Sequence, residues 1–139
     1  MKDFKECLEE GLIKRNKEAP KRVSKSIEIA ERFFESAKRN FEIEEYEMSV
    51  MGAYNSLFHS SRALLFHKGY VERSHFCLLV AIRTLYKDKS IREFIDTMDK
   101  IRISRHQIQY SGEFANKEEA EFVLEFSEEF LKLVKRILL

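Results

Sequence analysis

Residues 44–70 read EEYEMSVMGAYNSLFHSSRALLFHKGY, and this stretch decides the fold. Its apolar residues cover too broad a surface for a helix with one buried side, so it predicts a central helix over residues 44–68. Gly69 provides a stop, because glycine readily takes the left-handed conformation that ends many helices. Small residues would let neighbouring helices approach this one closely. They are Gly52, Ala53, Ser56, Ser60, Ser61 and Ala63.

Four further amphipathic helices are predicted by apolar residues spaced three and four apart. They run from Pro20 to near Asn40, from Ser74 to about Tyr86, from Ser90 into IRISRHQIQYSG at 101–112, and from about Asn116 to the C-terminus. A short helix with Leu8, Leu12 and Ile13 comes first, weakened by Gly11, and residues 1–19 are expected to be less ordered. No stretch predicts a strand. We therefore predict an all-α, up-and-down bundle of four to five main helices, with residues 1–139 as one domain.

The two cysteines, Cys7 and Cys77, show neither CxxC nor Cys/His spacing. This pattern predicts no zinc site and no disulfide framework, and favours buried free thiols in a reducing compartment. The N-terminus mixes both charge signs, and no stretch has membrane-spanning length. We therefore expect a cytoplasmic protein without a membrane partner.

Charge is unevenly distributed along the chain. Residues 14–25 carry six cations against one anion, whereas residues 113–129 carry seven glutamates against one lysine. A basic run can steer a polyanion to the protein, and it can equally be a solvated helix face. In the phosphate-binding interpretation, Lys21, Arg22 and Lys25 contact RNA.

Two arginines continue the apolar stripe of the helix that begins near Ser90. If Met98 marks the centre of that stripe, Arg102 lies about 40° to one side and Arg105 about 20° to the other. Each must pair with an anion, reach water at the rim, or face a ligand or second subunit. Ser104, His106, Gln107, Gln109 and Tyr110 add hydrogen-bonding groups around them.

This cluster has the side chains for metal-independent RNA cleavage. Arginine binds phosphate oxygens in a bidentate fork, and an imidazole exchanges protons near neutral pH. The other histidines lack ligand pairing, and His59 is interpreted as a packing histidine with a hydrogen-bonded ring. No cofactor-binding or nucleophile motif is present, so we expect no cofactor and no metal.

Two segments resemble the HEPN domain family: AYNSLFHSSRALLFHKGY at 53–70 and RHQIQYSG at 105–112. With the order of helices, the resemblance covers about Val23 to Leu139. It implies that Arg105 is the family's arginine, His106 the polar residue after it, and Tyr110 the occupant of the usual histidine position. It further implies RNA cleavage at a cleft between two protomers of a homodimer, and a nucleotidyltransferase partner in a toxin–antitoxin type of module.

Tyrosine at the histidine position bears on activity, because a phenol with a pKa of about 10 is a poor general base at pH 7. Arg105 and Tyr110 also lie about 140° apart on an ideal helix, and His106 is one turn from Arg102. The leading hypothesis is therefore a HEPN endoribonuclease using Arg105 with His106 or Tyr110. The alternatives are a non-catalytic module that binds a nucleotide or protein, and a bundle whose polar cluster only links its helices.

Overall fold

The structure is a computed structural model that describes residues 2–139. Its elements in chain order are α1 (Phe4–Glu9), β1 (Ile13–Arg15), a 3-10 turn (Ala19–Arg22), α2 (Val23–Glu42), α3 (Tyr46–His67), β2 (Tyr70–Glu72), α4 (His75–Leu85), α5 (Lys89–Ser111) and α6 (Lys117–Leu138). The predicted all-α bundle is confirmed. That the chain forms one domain over 1–139 stays a prediction.

Helix α3 is the centre of the bundle, as its broad apolar surface predicted. It packs mainly against α2 and α6, and also contacts α4 and α5. A Cβ atom on Gly52 would lie only 3.2 Å from Cβ of Ala37, so α2 and α3 are very close there. The hydroxyls of Ser49 and Ser56 donate to the carbonyls of Ala37 and Ala30 in α2. These contacts confirm that small residues allow close helix approach.

Polar side chains cap the N-termini of four helices, α1, α4, α5 and α6. The side chains of Ser74 and Asn116 accept a backbone N–H bond at the start of α4 and α6, as capping residues do. Helix α5 is capped by Asp88, so the predicted start at Ser90 was two residues late. Its other end is Gly112 in the left-handed conformation, at φ 71°.

The prediction that no strand forms was wrong. β1 and β2 pair antiparallel, with Ile13 opposite Glu72 and Arg15 opposite Tyr70. Each strand has three residues, too few for alternation to be recognised, and the pairing joins segments far apart in sequence. Gly11, at φ 70°, lets the chain leave α1, so Ile13 lies in a strand and not in the first helix. Regular elements thus extend through the segment that was expected to be less ordered.

The prediction of free thiols was also wrong. Cys7 in α1 and Cys77 in α4 form a disulfide, with their Cα atoms 5.9 Å apart. Both residues are fully buried. Their separation of 70 residues hid the pairing, because only the folded chain places α1 beside the first turn of α4. The expectation of a reducing compartment therefore loses this support. Within residues 2–139, no helix is long and apolar enough to cross a membrane.

Candidate functional site

The site is built on the C-terminal half of α5. Ile91, Ile95, Met98 and Ile101 form the predicted buried stripe of this helix. Arg102 and Arg105 follow and are only partly buried. The helix thus places the guanidinium groups of Arg102 and Arg105 at the boundary between the core and solvent.

Arg105 packs onto a ring of the central helix. Its guanidinium carbon lies 4.6 Å from the centre of the Tyr54 ring, which is within cation–π distance. Its Nη1 donates to the side-chain oxygen of Gln109 at 2.9 Å. Its Nε is buried and has no hydrogen-bond partner in the described part of the chain, and no carboxylate there forms an ion pair with it. An internal ion pair therefore does not account for the position of Arg105.

Arg102 has a more ordinary setting. Its Nε donates to Asp99 at 3.0 Å, one turn earlier on α5, and both side chains are partly exposed. Such pairs contribute at most about 1 kcal/mol, because water screens them. Arg102 therefore reaches the rim of the bundle, with its charge close to Arg105.

Tyr54 and His75 complete the cluster, and sequence reasoning missed both as site residues. The hydroxyl of Tyr54 lies 2.8 Å from Nδ1 of His75, the first residue of α4. The His75 ring stacks on Phe58 with centroids 4.3 Å apart. Tyr54 lies in the segment 53–70 that carried the family resemblance, but no local pattern links it to a histidine 21 residues later.

The surroundings keep Tyr54 and His75 uncharged at neutral pH. Burial raises the pKa of Tyr54, although hydrogen bonding to the Arg105 side chain and the positive charges of Arg105 and Arg102 act in the opposite direction. Burial lowers the pKa of His75, and the charges of Arg105, Arg102 and Arg62 lower it further. A neutral imidazole therefore lies beside a neutral phenol, close to three guanidinium groups.

The structure does not bring His106 or Tyr110 to this cluster within one chain. α5 stays helical through Ser111, so the angle of about 140° between Arg105 and Tyr110 is kept. His106 is exposed, Tyr110 is 65% exposed, and their rings pack against each other at 4.7 Å. They therefore form a separate exposed pair on another side of α5.

The basic stretch lies toward the other end of α3. Lys21 and Lys25 pair with Glu18 and Glu28 on the surface. Arg22 lies over the ring of Phe66, near the C-terminal end of α3.

Arg62 lies between the basic stretch and Arg105. Its guanidinium lies over the rings of Phe58 and Phe66, and its Nε donates to Glu72 at 3.0 Å. Because Tyr54, Phe58, Arg62 and Phe66 are spaced by four residues, they follow one side of α3. Arginine side chains thus lie along about 18 Å of this side of α3, from Arg105 to Arg22.

His59 is a packing histidine, as predicted, but its ring is not held as expected. It stacks on Phe33 and meets Phe58 edge-on. Its Nδ1 is buried without a hydrogen-bond partner among residues 2–139, so the hydrogen bond predicted for the ring is missing. Burial, helped by Arg62, lowers its pKa to about 4. Over the same residues, no group of three or more His, Cys, Asp and Glu could hold a metal ion.

Comparison with known proteins agrees with the resemblance. The sequence model of the HEPN domain matches residues 23–137, a range that takes in Tyr54, His75 and Arg105. The chain is also similar to the protein named "Putative toxin MJ0605" of Methanocaldococcus jannaschii, at 29% identity over 125 residues. The alignment covers 88% of this chain and 93% of that relative. The resemblance stated from residues 53–70 and 105–112 is confirmed.

Proposed function

The chain belongs to the HEPN domain family, and on that basis we propose that it is a toxin-like, metal-independent endoribonuclease in which Arg105 binds the scissile phosphate. One observation carries the proposal. Arg105 is held over Tyr54 with a buried Nε that lacks a partner in residues 2–139, and with no carboxylate neutralising its charge. The charge of such an arginine is not paired with an anion, so its guanidinium is able to bind one.

The chemistry needs few groups. In metal-free RNA cleavage the 2′-oxygen attacks the adjacent phosphorus, and the P–O5′ bond breaks. Negative charge accumulates on the phosphoryl oxygens on the way, and a guanidinium positioned there stabilises it. Arg105 has this role, and Arg102 adds positive charge next to it.

We include a homodimer in the proposal because His106 and Tyr110 point away from Arg105 within one chain. Two apolar side chains close to them in sequence are exposed: Ile103 is 48% and Phe114 is 88% exposed. Burying these side chains against a second copy of the chain would favour dimerisation, because exposed apolar clusters mark interaction sites. A second copy would bring its own His106 or Tyr110 toward the cleft, and these two residues stay proposed proton-transfer groups.

RNA is guided by the basic stretch. Arg22 lies near the C-terminal end of α3, and the surface ion pairs of Lys21 and Lys25 are weak enough for phosphate to displace. A strand that leaves Arg105 along this side of α3 would pass Arg62 before it reaches them.

The partner proposal rests on the relative's name. A protein named as a toxin suggests a neutralising partner for this chain, and we propose a nucleotidyltransferase-type protein in that role, in the cytoplasm. Co-purification of this chain with the product of a neighbouring nucleotidyltransferase gene tests the pairing. Separate elution of the two proteins would contradict it.

The activity is tested by incubating purified protein with a mixed RNA pool, with and without EDTA. The proposal predicts cleavage that EDTA does not stop and that Arg105→Ala abolishes. The competing function is a non-catalytic nucleotide-binding module, which the exposed Tyr110 at the family's histidine position favours. Intact RNA together with saturable nucleotide binding would select that function.

A further inference from the structure

Resting on the proposed ribonuclease function, we propose that His75 is the catalytic residue that accepts the proton of the attacking 2′-hydroxyl, and that Tyr54 positions its ring. The placement of His75 next to the Arg105–Tyr54 contact carries this inference. His75 lies outside the segment 105–112 that marks the family arginine.

Local structure fixes the His75 ring from several sides. Ser74 caps α4, and His75 is the first residue of that helix. The Cys77 disulfide ties the same turn to α1. The ring stacks on Phe58, and its Nδ1 is hydrogen-bonded to Tyr54. Such restraint is typical of a catalytic side chain, because a preorganised group loses little freedom when substrate binds.

His75 and Arg105 both contact Tyr54. The Arg105 guanidinium lies over Tyr54, and the Tyr54 hydroxyl meets His75 at 2.8 Å. A phosphodiester bound by Arg105 would therefore have its ribose close to His75. His106 and Tyr110 lack this relationship within one chain, since α5 directs both of them away from Tyr54.

In this proposal Nδ1 is the protonated ring nitrogen, which donates its proton to the Tyr54 oxygen and leaves the unprotonated Nε2 as the base. In the described residues Nε2 has no hydrogen-bond partner, and the side chain is only partly buried. The 2′-hydroxyl proton moves to Nε2, the O2′–P bond forms, and the P–O5′ bond breaks. O5′ takes a proton from water, and the imidazolium returns its proton to water, so the step balances.

The electrostatics agree with a base that works at neutral pH. The charged or titratable groups around His75 are Tyr54 and Arg62 from α3, and Arg102 and Arg105 from α5. Asp99, paired with Arg102, also acts on Tyr54. Together with burial, the arginines lower the pKa of His75 below 6.5. The imidazole is therefore unprotonated at pH 7. The cleavage rate should fall only when the pH is below 6.5.

The experiment compares His75→Ala with the matched variant His67→Ala, using the RNA that the wild type cleaves; His67 is an exposed histidine outside the proposed site. Replacing a general base costs about 100-fold or more in rate, so we expect that loss for His75→Ala and less than threefold for His67→Ala. Added imidazole should restore part of the His75→Ala rate and leave the His67→Ala rate unchanged. Tyr54→Phe should lower kcat more than it changes KM and should shift the acid limb of the pH profile.

Folding and binding are measured on the same variants. Melting temperature and affinity for an RNA with a 2′-deoxy nucleotide at the cleavage site should stay near the wild-type values in His75→Ala. Full cleavage by this variant, or a loss that imidazole does not rescue and that leaves the pH profile unchanged, would remove His75 from the chemistry. The ribonuclease proposal would survive either result, provided that Arg105→Ala is inactive. A wild type that cleaves no RNA would overturn both proposals.

Discussion

The guanidinium of Arg105 lies over the ring of Tyr54 at 4.6 Å, and this contact joins α5 to the central helix α3. Neither side chain could be recognised as the other's partner from the sequence, since they lie 51 positions apart. The contact places a positive charge against an uncharged ring, where water and an anionic ligand can still reach it. Arg105 is therefore available for function, and its removal should cost little stability.

Replacing Arg105 by alanine should leave the bundle folded. The cation–π contact at a partly exposed site contributes about 0.5–1 kcal/mol, and no ion pair is broken among the residues described. We expect urea unfolding to show a loss of about 1 kcal/mol. A loss above about 3 kcal/mol would show that Arg105 is mainly a structural residue.

Breaking the Cys7–Cys77 disulfide should destabilise the protein much more. The bond closes a loop of 70 residues, and the chain-entropy model assigns about 4 kcal/mol to a loop of that length. When both proteins are unfolded under oxidising conditions, the free energy of unfolding of the wild type should exceed that of Cys7→Ala by about this amount. Thiol titration of the denatured, unreduced protein should find no free thiol. Two titratable thiols would contradict the bond.

Acid should weaken the fold through His59. Its folded pKa of about 4 lies below the unfolded value of 6.5, so the unfolded chain binds more protons between these values. The stabilising contribution is complete above pH 6.5 and is lost as the pH falls toward 4. In His59→Leu, the free energy of unfolding should depend less on pH in this window than in the wild type.

The matched control is His67→Ala, because His67 lies on the same helix and is exposed. Its pH dependence should follow the wild type. An identical pH dependence in His59→Leu and His67→Ala would mean that His59 has an ordinary pKa in the folded protein.

A larger side chain at Gly52 should disrupt the contact between α2 and α3. A Cβ atom there already meets Ala37 at 3.2 Å, which leaves no room for a branched chain. Gly52→Leu should lower the free energy of unfolding by about 1–3 kcal/mol, the usual cost of overpacking. Chemical denaturation measures it. A denaturation midpoint of Gly52→Leu equal to that of the wild type would show that the two helices separate easily.

The helices could be predicted because their signals are local. The spacing of apolar residues and the capping residues Ser74 and Asn116 each act within a turn or two. The β1–β2 pairing and the disulfide depend on segments that meet only after folding, so their residues carry no local pattern.

The site could be predicted only in part. The core stripe of α5 indicated Arg102 and Arg105, since charged residues there conflict with their surroundings. Tyr54 and His75 remained unrecognised as site residues, because their hydrogen bond joins two helices whose packing had to be known first. Tyr110 was predicted as a site residue from the polar cluster around the arginines and from the family resemblance, and the continuous helix directs it away from Arg105.

The proposed cleavage mechanism depends on the claim that Arg105 stabilises the charge that develops on a scissile RNA phosphate. This role can be measured by single-turnover cleavage of one RNA by the wild type, Arg105→Ala and Arg102→Ala, all with EDTA present. We predict a rate at least about 100-fold lower for Arg105→Ala, as for the loss of one transition-state donor, and a much smaller reduction for Arg102→Ala. Equal rates for Arg105→Ala and the wild type would contradict the claim.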